Sequence, residues 1–356
     1  IKLMCKIITF FPVKNDVWFI EKSIKSALIW SDHVFIFDDS SNDGCHEVYH
    51  KLLKSHQNLH VMFRRPKFDF TTRDNNNYYI NFIRNKIEGY NLIFELHADE
   101  IMSAVILDTS VRKKLKELPI GTSIMLPWIN LWERPFLFRN DRSVWSNNYG
   151  WFGFKDDRKS NYIGAAFHGS RVPASLHINK MILEIPVLHF QFINLSMERS
   201  KQALYHIFER NHYPNKNIQS INKLYACAFD KRSVKLAHLD KEHYFEWLDR
   251  GIKINETYQD DKLNWRDFEV IKNFNLHGIN RYKELNIWYI DWELKRQLMI
   301  KENLLPDFAH NKIKDPRNIE TKIAHWFLMK YQKYPFWKFD VWRLVFNKLK
   351  SHINGE

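Results

Sequence analysis

Along the first 130 residues, apolar and polar positions alternate in two periods, one suited to strands and the other to helices. Met4–Phe10 and His33–Phe37 are short, rich in β-forming residues and closed by polar turns. Leu59–Phe63, Leu92–Leu96 and Ser123–Leu126 repeat that pattern. Between the first two strands, Ile20, Ile24, Ala27 and Leu28 line up on one helical face behind Asp16, a residue able to cap a helix. Gly44–Leu53, Asn75–Ile87 and Val111–Leu118 read as further helices. Strand and helix repeated in this order predict an α/β fold, with a mostly parallel central sheet flanked by helices on both faces.

From Trp128 to Leu195 the period is lost and aromatics, Gly and Asn recur, a stretch too apolar for a linker. It reads as packed loops over a site. From Met197 onward the pattern is mainly helical, as in Glu198–Arg210 and Tyr282–Glu302. A division near residue 200 follows, with a nucleotide-binding domain over 1–200 and a helical, basic region over 201–356. Near the end, Ile319, Ile323, Trp326 and Phe327 share one helical face, and Trp342, Val345, Phe346 and Leu349 share another.

Composition narrows the class. With 45% hydrophobic and 15% aromatic residues, the 356-residue chain can bury a sizeable core, which excludes global disorder. Its formal charge of +13 suits a nucleic acid, an anionic membrane surface or a phosphorylated substrate. From Arg317 to Glu356, eight Lys and Arg stand against three Asp and Glu, interleaved with nine aromatics. That stretch fits an anionic membrane surface, or equally a terminal helix packed on the body. No apolar run reaches the ~20 residues that span a bilayer. The start lacks a leader's apolar stretch, so a cytoplasmic protein is expected, with peripheral contact at the inner membrane face as an open alternative. Cys5, Cys45 and Cys227 are isolated and suggest neither a zinc site nor a disulfide framework.

The chemistry concentrates in two segments. Phe35–Asp38 is an apolar run that delivers Asp38 and Asp39 and then Ser40-Ser41-Asn42-Asp43-Gly44. In open α/β sheets the carboxyl edge of the strands is where nucleotides bind, and a carboxylate there can accept from a base N–H or ribose hydroxyls. Helix capping by Asp43 explains the end of this run but leaves the Asp38-Asp39 pair unexplained. Asn91–Glu95 repeats the arrangement and ends in Leu96-His97-Ala98-Asp99-Glu100. Mg2+ or Mn2+ held by Asp99 and phosphate oxygens would neutralise the charge that builds on a departing diphosphate.

With those residues in place, the chain resembles the family 2 glycosyltransferases of the GT-A fold. Ile8-Thr9-Phe10-Phe11-Pro12-Val13-Lys14-Asn15-Asp16 is similar to that family's opening strand and its V-(R/K)-N-(E/D) turn. Asp38–Gly44 resembles its D-D-x-S-x-D-G turn, Arg84-Asn85 its R-N, and His97-Ala98-Asp99-Glu100 the D-A-D-E form of its metal motif, with His97 in place of the first Asp. The likeness covers about residues 3–195 and is best over the first 105.

The resemblance implies an inverting transfer of sugar from a UDP- or GDP-type donor to a glycan or lipid-linked acceptor, as in surface-polysaccharide synthesis. It implies that Asp38 and Asp39 read the base or ribose, with Thr9, Pro12 and Asp16 lining the pocket. Arg84 would approach the diphosphate or base, and His97 the ribose or phosphate. Asp99 would ligate the metal, joined by a late histidine, His168 or His189, of which His189 is preferred because it follows the strand-like Ile185–Leu188. The base that deprotonates the acceptor is expected among the loop carboxylates Glu133, Asp141, Asp156 and Asp157, with Asp141 and Asp157 foremost. Trp128, Trp132, Trp145, Tyr149 and Trp151 either stack on sugar rings or form the core beneath the loops.

Two enzyme rivals fail for want of their phosphate loops: the turn after the first strand has no glycine, and no G-x-x-x-x-G-K-(S/T) occurs. A nucleic-acid-binding protein, motivated by the charge and the basic aromatic tail, finds no recognised motif, so no nucleic-acid partner is expected, but it stands as one alternative. A catalytically degenerate transferase domain acting as an assembly partner is the other, motivated by His97.

Overall fold

A computed structural model describes residues 4–63, 72–141, 145–146, 148–163, 169–226, 234–256, 263–304 and 311–330. His168, Cys227 and the apolar face expected within 342–349 lie outside them. The chain forms two compact units, one of Ile1–Phe138, Asn147–Gln191 and His238–Thr257, the other of Arg139–Ser146, Phe192–Ala237 and Tyr258–Glu356.

The first unit is an α/β fold. Its elements run β1 (Ile7–Val13), α1 (Val17–Trp30), β2 (His33–Asp38), α2 (Cys45–Leu53), β3 (Leu59–Phe63), α3 (Thr72–Lys86), β4 (Leu92–Glu95), β5 (Glu100–Met102), α4 (Thr109–Lys116) and β6 (Ser123–Trp132). They continue with β7 (Leu137–Arg139), β8 (Asn148–Lys155), β9 (Lys180–Ile182) and β10 (Val187–Phe192). The centre of the sheet is parallel, in the order β4, β1, β2, β3. Strands β1, β2 and β4 are buried almost throughout, as unbroken apolar runs covered on both faces must be. On one side Phe10, Phe35, Phe37 and Ile93 pack with Tyr79, Ile80 and Ile83 of α3.

Residues 128–195 are more regular than expected. Strand β6 runs on to Trp132, and β8 is inserted antiparallel between β6 and β4. Strand β10 pairs antiparallel with β5. Strand β10 is buried at every position, so its alternating polar residues His189 and Gln191 do not mark a solvent face. Gly153 of β8 opposes Phe94 in β4, and a Cβ at that position would stand 2.6 Å from the Phe94 ring.

The second unit contains most of the remaining helices, α5 (Leu195–His212), α6 (Ile218–Ala226), α8 (Trp265–His277), α9 (Trp292–Lys301) and α10 (Ile319–Lys330), while α7 (Phe245–Asp249) belongs to the first. α5 packs against α6 and α8, burying Ala203, Leu204, Ile207, Val270, Ile271 and Phe274. The helix expected over Tyr282–Glu302 begins only at Trp292: the Trp288 and Trp292 indoles donate to the carbonyls of Tyr282 and Ile287, which hold the preceding segment as irregular turns. On α10, Ile319, Ile323 and Trp326 are exposed. Among the described residues no helix is long and apolar enough to cross a membrane.

Candidate functional site

Because β1, β2 and β4 run parallel and side by side, their carboxyl ends share one edge of the sheet. Val13 stands beside Asp38, and Phe10 beside Glu95. The two acidic turns therefore leave that edge on either side of β1.

The turn after β2 is locked to the turn after β1. Asn15, at φ 52°, accepts at its side chain from the Asn42 backbone (2.7 Å), and its own N–H donates to Ser41 Oγ (2.8 Å). Asp43 accepts from the first N–H of α1, at Val17 (2.8 Å), and from Cys45. This is the capping that Asp16 was expected to provide; Asp16 occupies the N-cap position of α1 without a side-chain cap bond, so the cap is supplied across the turn. Asp38 is fully buried and accepts from Tyr49 Oη (2.8 Å) and the Ser41 N–H (2.7 Å), with His46 Nε2 3.3 Å away. It holds the turn's shape. Asp39 is only half-buried, and its carboxylate lies 3.9 Å from Lys14 Nζ. Thr9 is buried in β1, where its hydroxyl meets that of Ser31 (2.7 Å), whereas Pro12 is half-buried near the strand's end.

The turn after β4 is built around Glu100. Its buried carboxylate accepts from the His97 N–H (2.7 Å) and, through both oxygens, from Arg171 (2.7 and 3.0 Å). Burial pushes the Glu100 carboxyl up, but the charges of Arg171, His97 and His189 outweigh it and hold the group down at about 2. Arg171 also donates to His97 Nδ1 (3.0 Å), and its guanidinium lies over Trp128 (5.0 Å) and Phe152 (4.7 Å). Glu95, the last residue of β4, is buried and accepts from Asn76 (3.0 Å). Burial raises its carboxyl to about 7 against the pull of Arg171, with Glu100's charge adding to the rise.

Strand β10 brings His189 opposite Glu100. His189 Nε2 stands 3.6 Å from Asp99 Oδ1 and 4.0 Å from Glu100 Oε1, while its Nδ1 meets Asn130 Oδ1 at 2.9 Å and its ring stacks on Trp128 (4.9 Å). The Asn130 oxygen accepts from Nδ1–H, so Nε2 is the ring nitrogen turned toward the Asp99 carboxylate, a spacing that suits a shared proton or, with Nε2 unprotonated, a cation. Among the described residues no group of three or more His, Cys, Asp or Glu side chains is arranged to hold a metal by itself. The pair thus fits a cation that takes its remaining ligands from a substrate.

Other expected residues lie elsewhere. Arg84, on α3, is spent in a buried ion pair: Nη2 and Nε reach Asp156 at 2.7 and 3.0 Å, and Nη2 also donates to the Ser160 carbonyl (2.8 Å). Asp157 caps its own turn, accepting from the N–H groups of Lys159 and Ser160 and from the Ser160 hydroxyl, bonds that outweigh burial and hold its carboxyl below the usual range. Asp141 belongs to the second unit and accepts from Arg139 (2.7 Å) and Ser146 (3.0 Å). Of the aromatics, Trp132 is core, Trp151 stacks on His177 (4.1 Å), and Tyr149 is exposed with its hydroxyl on Glu184 (2.9 Å). Arg171 and Asn130 were not foreseen; neither stands in a motif, and only sheet pairing and the return of the chain bring them to the turn.

No protein-family model matches the chain, and no curated protein sequence does. Among solved structures, it is similar to a mannosyltransferase from Pyrobaculum calidifontis in complex with GDP-Man and Mn2+, at 9% identity and a TM-score of 0.37 over 92% of this chain and 87% of that one. It is also similar to GalNAc-T7 with UDP, GalNAc and Mn2+, at 10% identity and a TM-score of 0.35 over 77% of this chain and 58% of that one. Likenesses of this depth carry no weight for site or substrate.

Proposed function

We propose that this chain is a nucleotide-sugar-dependent glycosyltransferase with a GT-A-like domain of the family 2 type. It would move sugar from a UDP- or GDP-type donor to a hydroxyl of a glycan or lipid-linked acceptor, with inversion. The observation that carries this reading is the pair of acidic turns leaving one sheet edge on either side of β1, with Asp99 3.6 Å from His189 at the second. Asp39 would accept from the base or ribose beside Pro12 and Asp16, while Asp38 holds its turn in shape and Thr9, level with Val34, ties β1 to Ser31 away from that edge. Asp99 and His189 would hold Mg2+ or Mn2+, whose charge offsets that of the leaving diphosphate. A carboxylate must take the acceptor's proton. Asp157 accepts from the N–H groups and the hydroxyl of its own turn, which hold it acidic and make it a poor base. The basic aromatic stretch after Arg317, with Ile319, Ile323 and Trp326 exposed on α10, supports a role for the 201–356 region at an acceptor or an anionic membrane surface.

The test is calorimetric titration of UDP and GDP with and without Mn2+, repeated on Asp99→Asn. Nucleotide affinity that needs Mn2+ and falls about tenfold or more in the variant is expected. Absence of nucleotide binding under every metal condition, or steeply salt-dependent binding to oligonucleotides instead, would sink the assignment.

A further inference from the structure

The second unit holds a cavity of about 420 Å3 within itself, in the range of about 300–1,000 Å3 usual for small-molecule sites. Arg199 and Ser200 face it from the first turns of α5. Leu294, Lys295 and Leu298 face it from α9, where spacings of three and four residues put them on one side of the helix. The wall is therefore of two kinds, cationic and apolar. Leu294 is 51% exposed, and an apolar group lying against it would remove that surface from water.

Arg199 is half-buried, yet among the described residues its guanidinium makes no hydrogen bond and no ion pair. Elsewhere in the unit Arg210 donates to the Pro214 carbonyl, Arg281 to Asn211, Arg296 to Glu293 and Arg317 to Asp315. The acids near Arg199 are engaged with other groups. Glu198 is buried and accepts from Gln202, and Asp291, also in the cavity wall, accepts the Leu294 N–H (2.9 Å) as the cap of α9. Tyr289, from the same wall, supplies no phenolate. Burial pushes its hydroxyl well above the usual range, and the charge of Arg199 offsets only part of that rise. Lys295, the other cation, is paired with the buried Asp267 at 2.6 Å. The charge left to be met is that of Arg199, whose planar fork of five donors matches the paired oxygens of an anion. Ser200 adds a hydroxyl whose bond to the Ser196 carbonyl is long, at 3.3 Å, and a third anion oxygen would suit it better. A phosphate has that third oxygen and a carboxylate does not.

We propose that this cavity binds a phosphate ester carried on an apolar stem, with Arg199 paired to the phosphate and Leu294 and Leu298 against the stem. The site lies wholly in the second unit, and the inference is independent of the transferase reading.

The test is calorimetry on the full chain with hexyl phosphate, inorganic phosphate, hexanol and hexanoate. Hexyl phosphate should bind saturably and about tenfold more tightly than each of the others. Arg199→Gln should weaken it about tenfold and leave UDP and GDP titrations as they are in the wild type. Leu294→Ser should leave inorganic phosphate binding unchanged and cut the advantage of the hexyl chain about threefold. Both positions are partly exposed, so both variants should fold. Sedimentation with phosphatidic acid vesicles, against phosphatidylcholine vesicles, then gives the source of the phosphate. A loss of sedimentation in Arg199→Gln puts the ligand in a bilayer, and sedimentation that the variant leaves unchanged puts it on a soluble molecule; either agrees with the site. Absence of hexyl phosphate binding, binding that Arg199→Gln leaves intact, or hexanoate binding as tight as that of hexyl phosphate overturns the proposal.

Discussion

Arg84 offers the sharpest contrast between motif and packing. Its place in an R-N pair points to a nucleotide diphosphate, yet its guanidinium is buried against Asp156. Replacing it by Met strips Asp156, only 1% exposed, of its three close guanidinium contacts and leaves it the Arg158 N–H, 3.0 Å away, as a donor. The Ser160 carbonyl loses its 2.8 Å donor as well. Removing one partner of a buried pair costs about 3–5 kcal/mol, because the other charge is left in a low-dielectric site. For a unit of this size that corresponds to a fall in Tm of roughly 10 °C or more. Adding Asp156→Asn should recover part of the loss, since the stranded charge is then gone, and the double-mutant cycle should show strong coupling. Thermal and urea unfolding measure the stability, and calorimetry measures UDP and GDP affinity, expected to stay within about twofold. An Arg84→Met chain as stable as the wild type that has lost nucleotide affinity would show that Arg84 leaves Asp156 to meet the diphosphate.

Other outcomes follow from the same contacts. Gly153→Ala would force a Cβ to 2.6 Å from Phe94 and 3.0 Å from the Ile93 carbonyl in the middle of the sheet, and should cost about 1–3 kcal/mol in unfolding experiments. Tyr49→Phe leaves an oxygen of the fully buried Asp38 short of its 2.8 Å donor; a loss of about 1–3 kcal/mol is expected, and an unchanged Tm would argue against the turn's role. Glu95 gives a pH signature. Its carboxyl rises to about 7 in the folded chain from 4.5, so the folded state binds the proton more tightly and stability falls as pH climbs from 4.5 through 7. The loss is on the order of 3 kcal/mol and is flat above that range, and Glu95→Gln should remove this fall from the stability–pH curve.

What the sequence by itself determined was local. The runs Met4–Phe10, His33–Phe37 and Leu92–Leu96 read as strands, and the stripe of Ile20, Ile24, Ala27 and Leu28 as the helix between the first two; the structure places those strands at Ile7–Val13, His33–Asp38 and Leu92–Glu95. Short right-handed crossovers between such strands force a parallel sheet, and with it the acidic turns onto one edge. Hence Asp38, Asp39 and Asp99 could be named from their neighbours alone.

The tertiary structure decided which of these polar groups are spent on holding the fold. Asp38 and Asp99 look alike in sequence, each an acid beyond an apolar run. Burial against Tyr49 and Ser41 makes the first a brace, whereas β10 brings His189 to the second. Arg171 lies 71 residues beyond Glu100, and Asn130 59 before His189. Spacings of that length carry no periodic signal, because what joins them is the pairing of β5 with β10 and the packing of side chains over β6 and β8. Hydrophobic periodicity reports which face of an element is buried. The partner that a buried polar group meets depends on which element arrives there, and non-local packing alone settles that.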